Sequence, residues 1–162
     1  ISVTEPLGAV TSYAYTPSTQ FDNSGGDAPD LPQVIPLVTS ITVDDAKGVL
    51  QTTRIDYEGG DFELDDRELR GFRRVTMIRS FDGRATTTLF YQDDRHAGLV
   101  ESVEVRDGQG ALVAGSEYVY RTVPSGPPPW APLLIEIGAR AKNISPVSPT
   151  YMISRPSGVY LP

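Results

Sequence analysis

His96 is the chain's only histidine, so it is the first residue to consider for acid–base or metal chemistry. It lies in the polar run Asp93-Asp94-Arg95-His96. The chain has no cysteine, which excludes thiolate nucleophiles and thiolate zinc sites. A serine triad would have to use His96, yet no Gly-x-Ser-x-Gly elbow is present. A zinc site would combine this one histidine with carboxylates alone. We therefore interpret His96 as a surface-loop residue.

Adjacent aspartates could supply the two carboxyl groups of a glycosidase. The pairs are Asp44-Asp45, Asp65-Asp66 and Asp93-Asp94. All three are in predicted turns, where aspartate usually accepts hydrogen bonds from local backbone N–H groups. A catalytic acid also needs burial to raise its pKa, and nothing in the pattern indicates that. No glycine-rich phosphate loop with its lysine is present. The sequence predicts no catalytic residue and no cofactor.

The segment from Asp22 to Asp30 is rich in oxygen-bearing side chains and glycine. Oxygen ligands on flexible backbone suit Ca²⁺, so a calcium loop is one interpretation. The spacing differs from that of the helical calcium loop, and no closing glutamate follows. The sequence favours a solvated loop without a metal.

The bulk composition limits the classes of protein that the chain could be. Its 162 residues suit one domain with a real core. The net charge of −7 disfavours nucleic acid as a partner. No apolar run reaches membrane-spanning length, and the start at Ile1 lacks a basic and apolar leader. We expect a piece of a longer chain.

Segments rich in Val, Thr and Tyr alternate with turns that contain Asp and Gly. This pattern predicts an all-β fold, in which antiparallel hairpins form a twisted sheet or a β-sandwich-like module with little or no helix. A first hairpin is predicted from Ile1–Thr4 and Ala9–Thr16. Three more are predicted over Ile41–Tyr57, Val75–Tyr91 and Val103–Tyr120. Frequent strand threonines are expected to keep one face polar, namely Thr52, Thr53, Thr86, Thr87 and Thr88.

The chain changes character after residue 123. We predict a hairpin module over residues 1–123. Residues 124–162 are predicted to be a proline-rich crossing and an extended segment that pack on the same domain. The run from Ser125 to Pro132 could be a ligand for a proline-recognition module. Its place between strands favours a rigid connection that Trp130 anchors. Leu133–Ala139 is a predicted strand.

The stretch Arg67-Glu68-Leu69-Arg70-Gly71-Phe72 is the densest block of charge next to Gly and Phe. Taken alone, it is interpreted as a polar connection between two strands, in which Gly71 supplies a turn and Phe72 anchors the next strand. The best helix candidate, Asp61 to Gly71, lacks an apolar face.

Five short motifs occur in a fixed order along the chain. They are Leu7-Gly8-Ala9, Tyr15-Thr16-Pro17-Ser18-Thr19, Leu31-Pro32 with Val34, Tyr57 with Gly59-Gly60, and Arg67-Glu68-Leu69-Arg70-Gly71-Phe72. This succession, over about residues 5 to 120, resembles the middle region of the B component of bacterial insecticidal toxin complexes, a family related to the Salmonella virulence plasmid B protein. Leu69 stands where that family usually has Phe. The stretch after Val123 matches the family poorly.

The resemblance implies a structural role in a secreted or cell-surface toxin. In this family the region helps to build a β shell with Rhs-type (Tyr-Asp repeat) strands, which encloses a toxic polypeptide, and a β-propeller docks the shell to a pore-forming component. The implied partners are other segments or subunits of the parent shell. The implied structural motif comprises Arg67, Glu68, Arg70, Gly71, Phe72, Tyr15 and Pro17. Exposed sheet edges add possible self-association.

Two other functions stay open at this point. The first is a carbohydrate- or protein-binding β-sandwich module that uses exposed aromatic rings, with Tyr13, Tyr15, Trp130 and Tyr151 as candidates. The second is a carboxylate hydrolase, which would need a cavity with two facing carboxylates, one of them buried.

Overall fold

The computed structural model describes residues 1–23, 31–65, 67–122 and 132–141. They form one antiparallel sheet of nine strands, each paired with the next along the chain. The strands are β1 (Ser2–Thr4), β2 (Val10–Pro17), β3 (Pro36–Asp44), β4 (Leu50–Glu63), β5 (Glu68–Arg79), β6 (Ala85–Phe90), β7 (Val100–Arg106), β8 (Leu112–Thr122) and β9 (Pro132–Ala141). The only helical element among these residues is a short 3₁₀ turn, Ser18–Gln20. The predicted all-β fold is confirmed.

Aspartates close the turns of the predicted hairpins. The Asp45 carboxylate accepts hydrogen bonds from the amides of Lys47 and Val49, at 2.8 and 2.9 Å. Those bonds hold the pKa of Asp45 below its usual value, and the bond from the Val49 amide contributes more than the bond from the Lys47 amide. Asp107 binds the amides of Gln109 and Ala111 in the same way. Strands β3–β4, β5–β6 and β7–β8 pair as predicted, because these turns return the chain at the right places.

The register divides the sheet into two chemically different faces. Cross-strand partners share a face, and neighbours along a strand lie on opposite faces. Met77 pairs with Ile55 and Thr86, and Thr86 pairs with Val105. The side that contains this row is called the apolar face, and it carries Ile41, Ile55, Val75, Met77, Val103 and Val105. The opposite side is called the polar face, and it carries Arg54, Asp56, Glu58, Arg74, Glu104 and Arg106.

The prediction that the strand threonines keep one face of the sheet polar is wrong, because these threonines are divided between the two faces. Strict alternation puts Thr52 and Thr87 on the polar face, but Thr53, Thr86 and Thr88 on the apolar face. The charged residues of β4, β5 and β7 give the polar face its character instead.

The described part of the chain forms a single layer. Extensive contacts join only strands that are neighbours in the sheet. Leu31 is the one hydrophobic residue that is buried among the described residues. Met77 and Ile78, which point to opposite faces, are each 41% exposed. Within the described ranges, therefore, neither face of β5 is covered by a second layer.

The central stretch is not a connection between strands. β4 continues to Glu63 and β5 begins at Glu68, so only the residues between them link the two strands. Gly71 does not form a turn, because it pairs with Asp61 inside the ladder. The interpretation of this stretch as a polar connection, which was based on its charged residues, is therefore wrong. Backbone pairing of β5 with β4 determines the conformation of the stretch. The segment from Asp61 to Gly71 contains no helix in its described residues.

The second predicted segment contributes a strand to the same sheet. β9 pairs antiparallel with β8, with Tyr118 opposite Ile137. The strand predicted over Leu133–Ala139 is therefore confirmed, whereas the boundary at residue 123 stays a prediction. The proline-rich crossing lies almost wholly outside the described residues. No helix in the described part of the chain is long and apolar enough to cross a membrane.

Candidate functional site

Two glycines shape the corner at which β4 and β5 extend beyond the other strands. Gly59 has φ +65° and Gly71 has φ +80°, a left-handed conformation that favours glycine. A Cβ atom on Gly59 would lie 2.8 Å from the Cβ of Arg73, whereas one on Gly71 would meet nothing within 4 Å. The register also shifts between Asp61 and Phe62, which marks a bulge. Only glycine at position 59 permits this close approach of the two strands.

Arg70 fastens this corner to the loop that follows β6. Its side chain is buried, and the residue is only 8% exposed. The guanidinium donates a 2.7 Å hydrogen bond to the Gln92 carbonyl oxygen and another to the Asp94 carboxylate. It also forms an ion pair with Glu63 at 3.3 Å. The hydrogen bond that the guanidinium donates to Asp94 is the main reason that the pKa of Arg70 is raised, so the guanidinium stays charged.

Gln92 completes the attachment from the other side. Its side-chain amide Nε2 donates to the Gly59 carbonyl oxygen at 2.7 Å and to the Gly71 carbonyl oxygen at 3.1 Å. We call Gly59, Arg70, Gly71, Gln92 and Asp94 the corner clasp. The Gln92 amide provides hydrogen bonds to the carbonyl oxygens of both glycines. The shift in register between β4 and β5 would otherwise leave these oxygens without a hydrogen bond.

Arg73 makes a second link between β5 and the strands beyond it. Its guanidinium donates to the Phe90 carbonyl oxygen at 2.5 Å and forms an ion pair with Glu101 on β7. Glu101 thereby neutralises a positive charge on the apolar face.

A small packed cluster lies on the opposite flank of the corner. The Tyr57 ring contacts Phe21 edge-on at 5.5 Å between centroids, and Phe72 at 5.1 Å. A Cβ on Gly60 would lie 3.0 Å from Leu31 and from Phe72. The Tyr57 hydroxyl donates to the Val38 carbonyl oxygen, and burial raises its pKa. The cluster is the described sheet's closest approach to a hydrophobic core.

Ser18 is the fully buried residue that holds the chain beside this cluster. Its Oγ accepts a hydrogen bond from the Ile35 amide at 3.0 Å, and its carbonyl oxygen accepts one from Asn23 Nδ2 at 2.9 Å. Pro17, with φ −66°, directs the chain into the 3₁₀ turn that begins at Ser18. The Asp22 carbonyl oxygen accepts from the Gly59 amide at 2.8 Å, which ties the turn to the corner.

The structure separates the residues of the sequence-predicted structural motif. Arg70 and Gly71 belong to the corner clasp, and Phe72 is half-buried in the aromatic cluster. Arg67 and Glu68 are exposed and take no part in the clasp. Tyr15 pairs with Val38 and is 46% exposed. The structural role of the whole set stays a prediction.

Gln92 and Ser18 are the central residues whose roles the sequence did not indicate. Glutamine at the end of a predicted strand carries no distinctive signal, since its role depends on two carbonyl groups that are distant in sequence. Ser18 was visible only as one letter of the Tyr-x-Pro-Ser-Thr motif. A hydroxyl directly after proline and before a polar loop is compatible with local capping, but does not reveal burial.

His96 lies against two tyrosine rings, and its side-chain hydrogen-bond partner among the described residues is a carboxylate. Its Nδ1 is 2.8 Å from the Asp93 carboxylate, and its ring is tilted against those of Tyr91 and Tyr120, at 5.5 and 6.3 Å between centroids. Burial would raise the pKa of Asp93, but hydrogen bonds from the Arg95 amide and from His96 outweigh it and lower the pKa. Burial raises the pKa of Tyr91 and of Tyr120, so both stay protonated.

The other sequence-based candidates give no site within the described residues. No group of three or more His, Asp or Glu residues is placed there to hold a metal ion. Most of the proposed calcium loop lies outside the described residues, as do Trp130 and Tyr151. Tyr13 is only half-exposed, so Tyr15 alone of the four candidate sugar-stacking rings is shown as exposed. The described residues instead form the corner clasp, which joins β4 and β5 to the loop after β6.

Comparison with known proteins gives two findings. Residues 2–100 match the family model described as the insecticide toxin TcdB middle/N-terminal region. The chain is also similar in structure to TcdB2–TccC3 without its hypervariable C-terminal region, with a TM-score of 0.66 and 14% identity, and to TcdB2–TccC3–Cdc42, with a TM-score of 0.64 and 15% identity. Each match covers 83% of this chain but 10% of the longer one. No curated protein matches in sequence.

Proposed function

The chain belongs to the family of the insecticide toxin TcdB middle/N-terminal region, and we propose that it is a non-enzymatic wall segment in the shell of a toxin-complex B component. As a wall segment, the chain would form part of the shell of the longer toxin and would contact the neighbouring segments of that shell. The parent would be secreted or displayed on the cell surface, and its toxic polypeptide would lie behind the wall.

The single-layer sheet is the observation that carries this proposal. Within the described residues, a sheet with both faces half-exposed and a single buried hydrophobic residue does not enclose the core that an independent globular module has. Such a sheet suits a wall, because its stability comes from neighbours in the same layer. This chain covers only 10% of the longer chains to which it is similar in structure. That coverage agrees with a segment that functions within a much longer protein.

The corner clasp supports a structural role for the central motif. Its buried arginine and its side-chain amide bind backbone carbonyl oxygens. These contacts fix the angle at which the β4–β5 extension leaves the sheet, and a shell made of sheets depends on such angles.

The proposal is tested in the longer polypeptide that carries this chain. Gly59→Trp disrupts the close approach to Arg73, whereas Gly48→Trp puts the same side chain into open space in a turn. Both residues have positive φ, so the pair is matched in backbone strain. We expect Gly59→Trp to prevent formation of closed particles in electron micrographs and to expose the enclosed polypeptide to protease. Equal assembly by the two variants would contradict the proposal.

A further inference from the structure

The extension of β4 and β5 projects from one end of the sheet, in the direction of the strands. Within the described residues, positions 60–63 of β4 and 68–72 of β5 have no strand partner other than each other. At about 3.4 Å per residue, the paired part reaches roughly 10 Å beyond the corner before the chain turns. The extension therefore enters the space beyond the end of the sheet.

Two exposed leucines stand at the end of this extension. Leu64, the first residue after β4, is 56% exposed, and Leu69 on β5 is 44% exposed. Leu69 lies opposite Phe62 in the ladder, so apolar side chains from both strands meet there. We call Phe62, Leu64 and Leu69 the apolar tip. Single exposed leucines are normal on a protein surface, but a group of apolar residues on a projecting hairpin marks a point of contact.

A series of polar contacts holds the apolar tip in a fixed position. The Glu63 carboxylate accepts a hydrogen bond from the Asp65 amide at 3.3 Å and forms the ion pair with Arg70 at 3.3 Å. Arg70 is itself fixed by the corner clasp. Arg67 closes the turn with φ +54°, a left-handed conformation that is uncommon for residues other than glycine. A rigid element loses little entropy on binding, which favours docking on a partner.

The carboxylates around the apolar tip define the charge of the surface that it fits. Residues 61–70 contain five carboxylates and two arginines. One of these arginines, Arg70, is buried and already paired with Glu63 and Asp94. Glu63 and Glu68 lie directly opposite each other in the ladder, where like charges repel. A partner with basic residues would relieve this repulsion, whereas an acidic partner would add to it.

The segments of a shell wall have to be joined in two directions. Ladder hydrogen bonds extend a sheet only at its edge strands, perpendicular to the strands. A joint in the direction of the strands therefore depends on side chains at the strand ends. β6 has six residues and is roughly 20 Å long, so one sheet covers little of a shell in that direction. The apolar tip lies at a strand end and projects in that direction.

We propose that the apolar tip docks into an apolar pocket, surrounded by basic residues, on another segment of the same longer polypeptide. The inference rests on the proposed function, because the shell is what puts a second segment beyond the end of this sheet. Leu64 and Leu69 fill the pocket, and the carboxylates beside them face the basic residues. The corner clasp fixes the angle of the extension and thereby directs the tip to its pocket.

The first test compares the two ends of one strand in the longer polypeptide. Leu64 follows β4 and Leu50 begins it, and the two residues are 56% and 65% exposed, so neither Leu64→Lys nor Leu50→Lys removes a buried side chain from this chain. We expect Leu64→Lys to raise the rate at which protease cleaves the enclosed polypeptide at least about tenfold, and Leu50→Lys to change it less than about threefold. Equal rates for the two variants would overturn the proposal.

The charge of the pocket is tested at the same position. Leu64→Glu should raise the cleavage rate less than Leu64→Lys does, because its carboxylate suits the basic residues around the pocket. A larger effect of Leu64→Glu than of Leu64→Lys would contradict a basic pocket.

A second test locates the pocket directly. A photoreactive benzophenone side chain replaces Leu64 in the longer polypeptide, and the control carries it in place of Leu50. Cross-links from position 64 should map by mass spectrometry to one segment of the same polypeptide outside residues 1–162, and the control should not reach that segment. Cross-links that end within residues 1–162 or on a separate subunit, or no cross-link at all, would overturn the proposal.

The outcomes separate this inference from the proposed function. If Gly59→Trp prevents closed particles while Leu64→Lys and Leu50→Lys both form them, the chain is a wall segment and the tip is not a joint. If Gly59→Trp and Gly48→Trp assemble equally, the wall itself is refuted, whatever the tip contacts.

Discussion

The Arg70 side chain links parts of the sheet that are far apart in the sequence. It lies on β5, but its partners are the Gln92 carbonyl oxygen, Asp94 and Glu63. Asp94 is largely exposed, so the ion pair alone contributes little in water. The buried hydrogen bond to Gln92 and the packing of the Arg70 stem contribute more, because removal leaves a carbonyl group and a cavity.

We predict that Arg70→Met lowers the free energy of unfolding by about 1–3 kcal/mol. Arg74→Met is the matched control, since Arg74 is on the same strand and binds Glu58 at 2.9 Å but is about half-exposed. The control should lose less than about 1 kcal/mol, as exposed pairs do. Urea denaturation of the three proteins measures both values, and equal losses would show that the clasp adds nothing.

Asp93 gives a pH dependence whose sign follows from its hydrogen bonds. Its folded pKa is lowered, so its stabilisation is complete above the unfolded value of about 3.9 and is lost as the pH falls through the folded pKa. Asp93→Asn should therefore destabilise the protein by about 0.5–1 kcal/mol at pH 7 and by much less near pH 3. Urea midpoints at the two pH values measure this. A difference that stays constant with pH would attribute the effect to shape alone.

At the scale of the strands, the close approach at Gly59 sets the corner between β4 and β5. Gly59→Ala combines an unfavourable positive φ with a Cβ contact of 2.8 Å to Arg73. Gly71→Ala carries only the first penalty, because the space around it is open. We expect Gly71→Ala to cost about 1 kcal/mol and Gly59→Ala about 2–3 kcal/mol. Thermal unfolding gives the order of the two variants, and the reverse order would refute the steric argument.

The hairpins could be predicted from the sequence because their signals are local. Asp45 and Asp107 bind amides two and four residues away, and alternating apolar residues flank each turn. The corner could not be predicted, because its signals are distant. Arg70 and Gln92 are 22 residues apart, and the bulge at Asp61 depends on the register with β5. The five ordered motifs nevertheless identified the family without any of this geometry.

At the scale of the whole molecule, each described strand is stabilised mainly by the strands next to it in the sheet, two for an inner strand and one for β1 and β9. This arrangement resembles a repeat protein, in which stability is a sum of nearest-neighbour terms and the ends open first. β1 pairs with β2 over three residues, whereas β4 pairs with β5 along ten positions. Opening should therefore begin at β1 and reach β4 and β5 last.

Hydrogen exchange in dilute solution measures this order directly. We expect amide protection to rise from β1 through β2 and β3 to a maximum in β4 and β5. Val3→Pro disrupts the pairing of β1, and it should lower protection in β1 and β2 while leaving β5 within experimental error. Ile55→Gly weakens the middle of the sheet instead, and its effect should extend to strands on both sides. If every amide exchanged at one common rate, or if Val3→Pro lowered protection in β5 as much as in β2, the sheet would unfold as a single cooperative unit. A wall segment that relies on lateral neighbours would then be the wrong description of its energetics.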